Sequence, residues 1–458
     1  HFNTSLAEEL RIDTSNTDYA ELAAVFSGSQ VPEGAERSAL AYAGHQFGNF
    51  VPQLGDGRAI LLGEVIDQDH KRRDIQLKGA GRTPFSRGGD GRAPLGPVVR
   101  EYLLSEAMHA LGVPTSRALA AVGTGEAVLR NRPEPGAVLT RVAASHIRVG
   151  TFQYFAVREK TERVQQLADY AISRHYPSVM FTDTPYLELL RAVTLKQAEL
   201  IAQWMSIGFI HGVMNTDNVA ISGETLDYGP CAFMDAYHPD TVFSSIDMMG
   251  RYAYSNQPDI GYWNLARFAE SLLPLIDDDK PRAVDKAKAV LAEFSSHYDA
   301  EWLRLMGSKV GLEQPTESDR DLIRDLPALM ASNELDFTLF FRELSHLAAN
   351  PGDDSRIAAR LQGSTEWKNW HQRWLARIEQ EPVSYHALSN RMLQANPAII
   401  PRNHLVERTI QKMEAGDTSL FHELLEQFRD PFATGLDDSP NTQPPTDSEK
   451  VTRTFCGT

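Results

Sequence analysis

His211-Gly-Val-Met-Asn-Thr-Asp-Asn218, followed nine positions later by Asp227-Tyr-Gly229, is the stretch on which the reading of the fold turns. Asn218 and Asp227 offer a neutral and an anionic oxygen, the ligands that Mg²⁺ and Mn²⁺ prefer. Residues 219–221 and 225–226, separated by Ser-Gly-Glu, read as a short hairpin that would set those two ligands side by side. Asp217 adjoins Asn218, within reach of a proton on an attacking hydroxyl.

Protein-kinase catalytic loops share this His-to-Asn spacing and a later Asp-x-Gly that holds magnesium. In those loops an Asp two residues after the His serves as base, whereas Val213 stands at that position here. An aliphatic side chain cannot accept a proton or orient a hydroxyl. The chain is therefore either a kinase without catalysis or an enzyme that transfers something other than the terminal phosphate. His211 reads as a residue that packs and hydrogen-bonds under the site.

The chain has 458 residues, enough for two or three packed regions or a two-lobed enzyme with a large interior. Its 45 Lys and Arg against 61 Asp and Glu give a net charge of −16, which excludes broad nucleic-acid binding. Any polyanion must sit in a local basic pocket. Two cysteines, Cys231 and Cys456, make no disulfide framework and fit a reducing compartment, so a cytoplasmic location is expected. The sequence contains no apolar run of spanning length, and no membrane association is expected. The first residue is His rather than Met, which leaves room for a removed targeting segment.

Residues 1–40 form an N-terminal extension without a diagnostic motif. Residues 41–150 read as a small mixed α/β lobe with β-rich runs at 58–65, 74–78 and 118–122, and a helix from Pro97 to about Leu111. Residues 151–430 read as a mainly helical large lobe, in which an amphipathic helix over 194–209 delivers the chain to His211. Residues 431–458, rich in Pro, Asp, Ser and Thr, read as a flexible tail that carries Cys456. The expected fold class is α+β.

Several elements of the small lobe have a phosphate-binding character. Leu54-Gly-Asp-Gly-Arg58 precedes a strand, where Gly55 and Gly57 would let backbone amides approach phosphate oxygens. Lys78 closes the next strand. Glu101 lies on the apolar face of the following helix, where an unpaired carboxylate would be costly to bury; either a Lys78–Glu101 pair removes that cost, or Glu101 simply favours the first turns of the helix through the macrodipole. Such a pair would also fix the ammonium for nucleotide phosphates. Ser86-Arg-Gly-Gly-Asp-Gly-Arg92 is a second glycine-rich stretch, suited either to closing over a nucleotide or to a surface turn. Arg141 and Arg148, seven residues apart, share a helical face if their segment is helical.

Taken in chain order, Tyr42-Ala-Gly-His-Gln-Phe-Gly48, Leu54-Gly-Asp-Gly-Arg58, Leu77-Lys-Gly-Ala-Gly-Arg-Thr-Pro84, Gly89-Asp-Gly-Arg-Ala93, Arg100-Glu101 and Ser105-Glu-Ala-Met-His-Ala-Leu111 lead to the metal loop. Asp227-Tyr-Gly-Pro230, Gly250-Arg-Tyr252 and Asn256-Gln-Pro258 follow it. With these motifs, over residues 40–260, the chain resembles the selenoprotein O family, pseudokinases that act as protein adenylyltransferases.

The resemblance implies a two-lobed protein-kinase-like fold with an additional helical C-terminal region, binding ATP in the reverse sense so that the α-phosphate faces the acceptor. It implies that Gly55, Gly57, Arg58, Lys78, Asp90, Gly91, Arg141, Arg148 and Asp227 contact ATP, that Glu101 pairs with Lys78, and that Asn218 and Asp227 hold Mg²⁺ or Mn²⁺. Asp217 would be the proton acceptor. The implied reaction moves AMP from ATP to Ser, Thr or Tyr hydroxyls of proteins and releases pyrophosphate, and UTP use is implied for some bacterial members. The chain departs from the family at Gly88, at Pro94-Leu-Gly-Pro97 and at Ser244-Ser-Ile-Asp247. Relatives place a Cys or selenocysteine where Cys456 stands and use a disulfide as a gate, for which Cys231 is the one other cysteine available here. The alternatives are a protein or small-molecule kinase transferring the γ-phosphate, suggested by His211-Gly212, and a nucleotide-binding scaffold without catalysis.

Overall fold

The computed structural model describes residues 1–361 and 364–455. A five-stranded antiparallel sheet organises the first third of the chain. Its strands are β3 (Ala59–Ile66), β4 (Arg72–Lys78), β5 (Ala93–Pro94), β6 (Arg117–Leu129) and β7 (Pro133–Ala143). β7 pairs with β6 along one edge, and with β4 and then β5 along the other. The small hairpin of β1 (Gly44–Gln46) and β2 (Asn49–Val51) precedes this sheet.

Strand alternation gives the sheet two unlike faces. Ile75, Leu77, Val138 and Val142 meet Leu6, Leu10 and Phe26 from α1 (Thr4–Glu9) and α2 (Tyr19–Phe26), so the N-terminal extension covers the outer face. Asp74, Gln76 and Lys78 occupy the alternate positions of β4 and are equally buried. Arg141 stands opposite Gln76 in register. Polar side chains at every second position of a buried strand require partners, and those partners build the site.

Helix α3 (Leu95–Ala110) starts directly after the β-conformation of Pro94 and packs Val99, Leu103 and Met108 into the main core. It is also buried on its far side, where Arg100 donates to the Cys231 and Asn403 oxygens and pairs with Glu407. The helical part comprises α4 (Val149–Ala156), α5 (Thr161–His175), α6 (Pro185–Ser206), α7 (Gln257–Ile276) and α8 (Lys280–Lys309) around the short ladder of β8 (Phe209–Ile210) with β9 (Ala232–Phe233). Further helices follow: α9 (Arg320–Ser332), α10 (Phe337–Leu347), α11 (Ser355–Arg360), α12 (Thr365–Ile378), α13 (Tyr385–Ala395), α14 (Asn403–Glu414) and α15 (Ser419–Phe428). Among the described residues no helix is long and apolar enough to cross a membrane.

Three expectations change. Arg141 and Arg148 do not share a helical face, because Arg141 lies in β7 and Arg148 is the N-cap of α4. The 219–226 connection closes through one bridge, Val219 to Thr225, since Thr225 also pairs with Thr115. Residues 431–455 are docked rather than free. Asn441 donates to Glu423 and Gln427, and the Arg402 Nε donates to the Thr442 carbonyl. Thr454 lies beside Ser244 and donates to the Pro230 carbonyl. A polar composition permits disorder, but here the polar groups find buried partners.

Arg402 is fully buried between Asp235 and Asp336, joining the segment after β9 to the N-terminus of α10. Lys309 is buried without such a pair among the described residues; its ammonium lies 4.5 Å from the Phe341 ring centroid and 5.6 Å from that of Phe337. Burial pushes the Lys309 amine down to about 7. The unfolded chain then binds one more proton than the native chain between pH 7 and the ordinary lysine range, so stability rises with pH across that window. Lys309→Met is expected to flatten this slope and to raise stability at pH 7 by on the order of 5 kcal/mol. Guanidinium unfolding midpoints at pH 7 and pH 9 measure it, and an unchanged pH slope in the variant would contradict this account.

Candidate active site

Four charged side chains meet where the sheet, α3 and the loop after β8 converge. The Lys78 ammonium donates to the Glu101 Oε2 at 2.6 Å and to the Asp227 Oδ1 at 2.9 Å. Arg141 bonds Glu101 through its Nε and reaches the Asp227 Oδ1 at 3.3 Å through its Nη2. Two cations thus face two carboxylates. Burial alone would drive both carboxyls up, but Lys78 and Arg141 outweigh it and hold Asp227 and Glu101 below the usual range. Arg58 contributes to the same effect at Asp227. The expected Lys78–Glu101 pair is present, and Arg141, diagonal to Lys78 on β7, completes it.

Asp227 has φ +73°, a left-handed conformation that costs a non-glycine residue roughly 1–2 kcal/mol. The surroundings hold it there. His211, fully buried, donates from Nε2 to the Leu226 carbonyl while its Nδ1 accepts from the Val213 N–H. Tyr228, also buried, bonds Thr115. The predicted supporting role of His211 matches this geometry.

Asn218 donates its amide N–H to the Val213 carbonyl at 3.0 Å, which closes the loop and leaves the amide oxygen as its remaining acceptor. That oxygen and the Asp227 carboxylate are both oxygen donors of the kind that hard divalent cations take. Among the described residues no group of three or more His, Cys, Asp and Glu side chains forms a self-sufficient metal cage. A cation held here would complete its shell with phosphate oxygens and water, as Mg²⁺ commonly does. The donor set fits such an ion.

Asp217 is nearly covered by the β1–β2 hairpin. A Cβ on Gly44 would fall 2.4 Å from the Asp217 Oδ1, so only glycine lets the strand lie this close. The Gln46 amide approaches the Asp217 Oδ2 at 3.4 Å, whereas Oδ1 is buried with no partner among the described residues. Burial pushes the Asp217 carboxyl up to about 6, against the pull of Arg148. Arg148 donates to the Asp217 carbonyl at 2.9 Å, stacks on Tyr42 at 4.5 Å and reaches Asp56 at 3.4 Å. Its own Nε is buried without a partner.

The glycine loop is itself covered. A Cβ on Gly55 would strike the Phe85 ring at 2.4 Å, and one on Gly57 would meet the Phe85 carbonyl at 3.0 Å. Thr83 and Ser86 hydroxyls donate to the Asp56 and Gly57 carbonyls. Close packing of the 83–86 turn is therefore one physical reason for these glycines. Gly91, with φ +68°, lies against Gly81, where a Cβ would come 2.1 Å from the Gly81 oxygen. Asp90 is taken by Arg130, whose hydrogen bonds lower its carboxyl to about 2. The Asp90–Gly91 stretch thus packs on Gly81, with its carboxylate held by Arg130.

Cys231 is fully buried and burial pushes its thiol well up, which keeps it unreactive. Cys456 lies outside the described residues. Tyr42, Gly44, Gln46, Asp56 and Gln76 also belong to the site, and for the first three the only sequence signal is the 42–48 motif. Gln76 bridges to Asp56 at 3.1 Å, and Asp56 to Arg148. Only pairing of distant segments shows this chain of contacts.

The family described as Protein adenylyltransferase SelO matches residues 1–429. The chain is 56% identical over 459 residues to Protein nucleotidyltransferase YdiU of Agrobacterium fabrum (strain C58), covering 100% of this chain and 94% of that protein. It is 56% identical over 457 residues to the protein of the same name from Rhizobium etli (strain CIAT 652), covering 100% and 91%. With that of Nitrobacter hamburgensis (strain X14) identity is 54% over 460 residues, covering 100% and 90%.

The raised Asp217 carboxyl has a consequence for stability in the presence of a chelator. The native chain holds this proton more tightly than the unfolded one, so stability falls as pH rises from about 4 to about 6 and is level above. Asp217→Asn is expected to remove that decline and to be more stable at pH 7 by roughly 3 kcal/mol. Denaturant titrations at pH 4.5 and 7 check it; equal declines in both proteins would refute the assignment.

Proposed function

Because this chain belongs to the SelO family of protein adenylyltransferases and is a nucleotidyltransferase, we propose that it moves AMP from ATP to Ser, Thr or Tyr hydroxyls of proteins. We take residues 41–150 and 151–430 as the two lobes of a kinase-like scaffold, with the nucleotide between them. Lys78, Arg141, Arg58 and Arg148 neutralise the phosphates, and the turns carrying Gly55, Gly57, Asp90 and Gly91 enclose the nucleotide. Asn218 and Asp227 hold Mg²⁺ or Mn²⁺, which when bound supplies positive charge at the phosphate oxygens. UTP, with the same triphosphate, is a second substrate of this pocket.

One observation carries the reading: Val213 is buried where a kinase would keep its base, while Asp217, four residues on, retains a buried carboxylate oxygen with no partner. In the transfer the acceptor oxygen bonds to the α-phosphorus and the bond from that phosphorus to the bridging oxygen breaks. Pyrophosphate leaves, and the hydroxyl proton passes to Asp217. The α-phosphate must then face the acceptor and the terminal phosphates must lie inward, where Lys78 and Arg141 sit. Without nucleotide these cations rest on Asp227. Incoming phosphates compete for them, which frees Asp227 for a cation.

ATP labelled at the α- or γ-phosphate separates this reaction from γ-phosphate transfer and from simple binding. Label from the α position is expected in the acceptor protein; label from the γ position alone would identify a kinase, and none a scaffold. Asp227→Ala is expected to abolish transfer, measured with saturating ATP and either metal. Gly44→Ala forces Asp217 aside and is expected to lower the transfer rate by about 10²-fold while ATP binding persists.

A further inference from the structure

Outside the charged quartet, a second cationic feature surrounds Trp263. Trp263 of α7 is stacked by two arginines, with the Arg251 guanidinium 4.8 Å and that of Arg267 5.1 Å from its ring centroid. His45 meets the same indole edge-on at 5.2 Å. Arg267 pairs with the half-exposed Glu270 at 2.9 Å. Arg251 has no ion pair among the described residues, because the nearby Asp247 carboxylate spends its oxygens on the Arg251 and Tyr252 backbone N–H groups. The Nε atoms of both arginines are buried and unpartnered. A guanidinium stacked flat on an aromatic face keeps its edge donors in a plane, the geometry that grips a carboxylate through two parallel bonds.

The β1–β2 hairpin ties this cluster to Asp217. Gln46 reaches Asp217 while its neighbour His45 faces Trp263, as strand alternation requires. Gly48 lies against Arg251, and the Phe47 N–H meets the Tyr252 hydroxyl, which donates to Asn215 two residues before Asp217. Consecutive residues of one strand therefore touch the Trp263 cluster and Asp217. In a chain of net charge −16 the guanidinium of Arg251, which has no ion pair among the described residues, favours an acidic group beside it.

We propose that Arg251 and Arg267, stacked on Trp263, form a specificity site for an acidic side chain of the acceptor protein, placed within about three residues of the modified hydroxyl. This rests on the protein-acceptor reading above. Phosphate neutralisation does not involve these arginines, so their substitution acts on the acceptor and not on ATP. Beyond Arg251 the exposed Met248 and Met249 continue the surface with adaptable apolar contacts.

The test uses two synthetic acceptor peptides that differ only in carrying Glu or Lys at the positions flanking one Ser, Thr or Tyr, with ATP and metal, and adenylate read by mass. The wild-type protein is expected to modify the Glu peptide at least ten-fold more efficiently, through KM rather than kcat. Arg251→Glu and Arg267→Glu, made separately and checked for unchanged thermal unfolding and ATP binding, are expected to reverse or erase the preference. Arg251→Lys keeps the charge and retains part of it. Equal use of both peptides by the wild-type protein, or an undiminished Glu preference in both charge reversals, overturns the proposal. Absence of adenylate on any peptide or protein by an ATP-binding wild-type chain overturns the protein-acceptor reading itself, and this proposal with it.

Discussion

The rest of the site depends on charge balance among Lys78, Arg141, Glu101 and Asp227. Each residue comes from a different element: β4, β7, α3 and the loop before β9. Burying any one of them unpaired would cost several kcal/mol, so the four fix one another. The sheet supplies the cations in register, the helix supplies the shared carboxylate, and the loop presents Asp227 in a strained backbone conformation that a hydrogen-bonded His211 helps to hold. Two cations that rest on carboxylates are already desolvated and fixed in place, which is what preorganised electrostatic stabilisation requires.

A second constraint is steric. Gly44 lets the β1–β2 hairpin lie on Asp217, which excludes water from that carboxyl and raises its proton affinity. The same hairpin carries His45 and Gly48 to the Trp263 cluster, so one short element joins Asp217 to that cluster. Arg148, fixed between Tyr42 and Asp56, belongs to the same arrangement and cannot shift without disturbing both.

The C-terminal part supports the site from behind. Arg402 ties the segment after β9 to α10, and Arg100 ties α3 to α14 and to the Cys231 carbonyl. Residues 431–455 then run over this junction, ending with Thr454 bonded to the Pro230 carbonyl just after the Asp227-Tyr-Gly229 turn. A tail of polar composition is thereby anchored on the residue that precedes the buried Cys231.

The sequence by itself determined the ordered motifs, the family they point to, and the Lys78–Glu101 pair, because that pair follows from the cost of a lone carboxylate on an apolar helix face. It also placed Asn218, Asp227 and Asp217 in one loop, since they are close in the chain. Only the tertiary structure decided that Arg141 reaches the quartet from a strand, that the N-terminal extension covers the sheet, that the tail docks, and that Gly44 and Gln46 enclose Asp217. Those contacts join residues far apart in sequence, and no local periodicity or spacing encodes them; they arise when buried polar groups, each obliged to find a partner, settle on the ones the packed chain brings within reach.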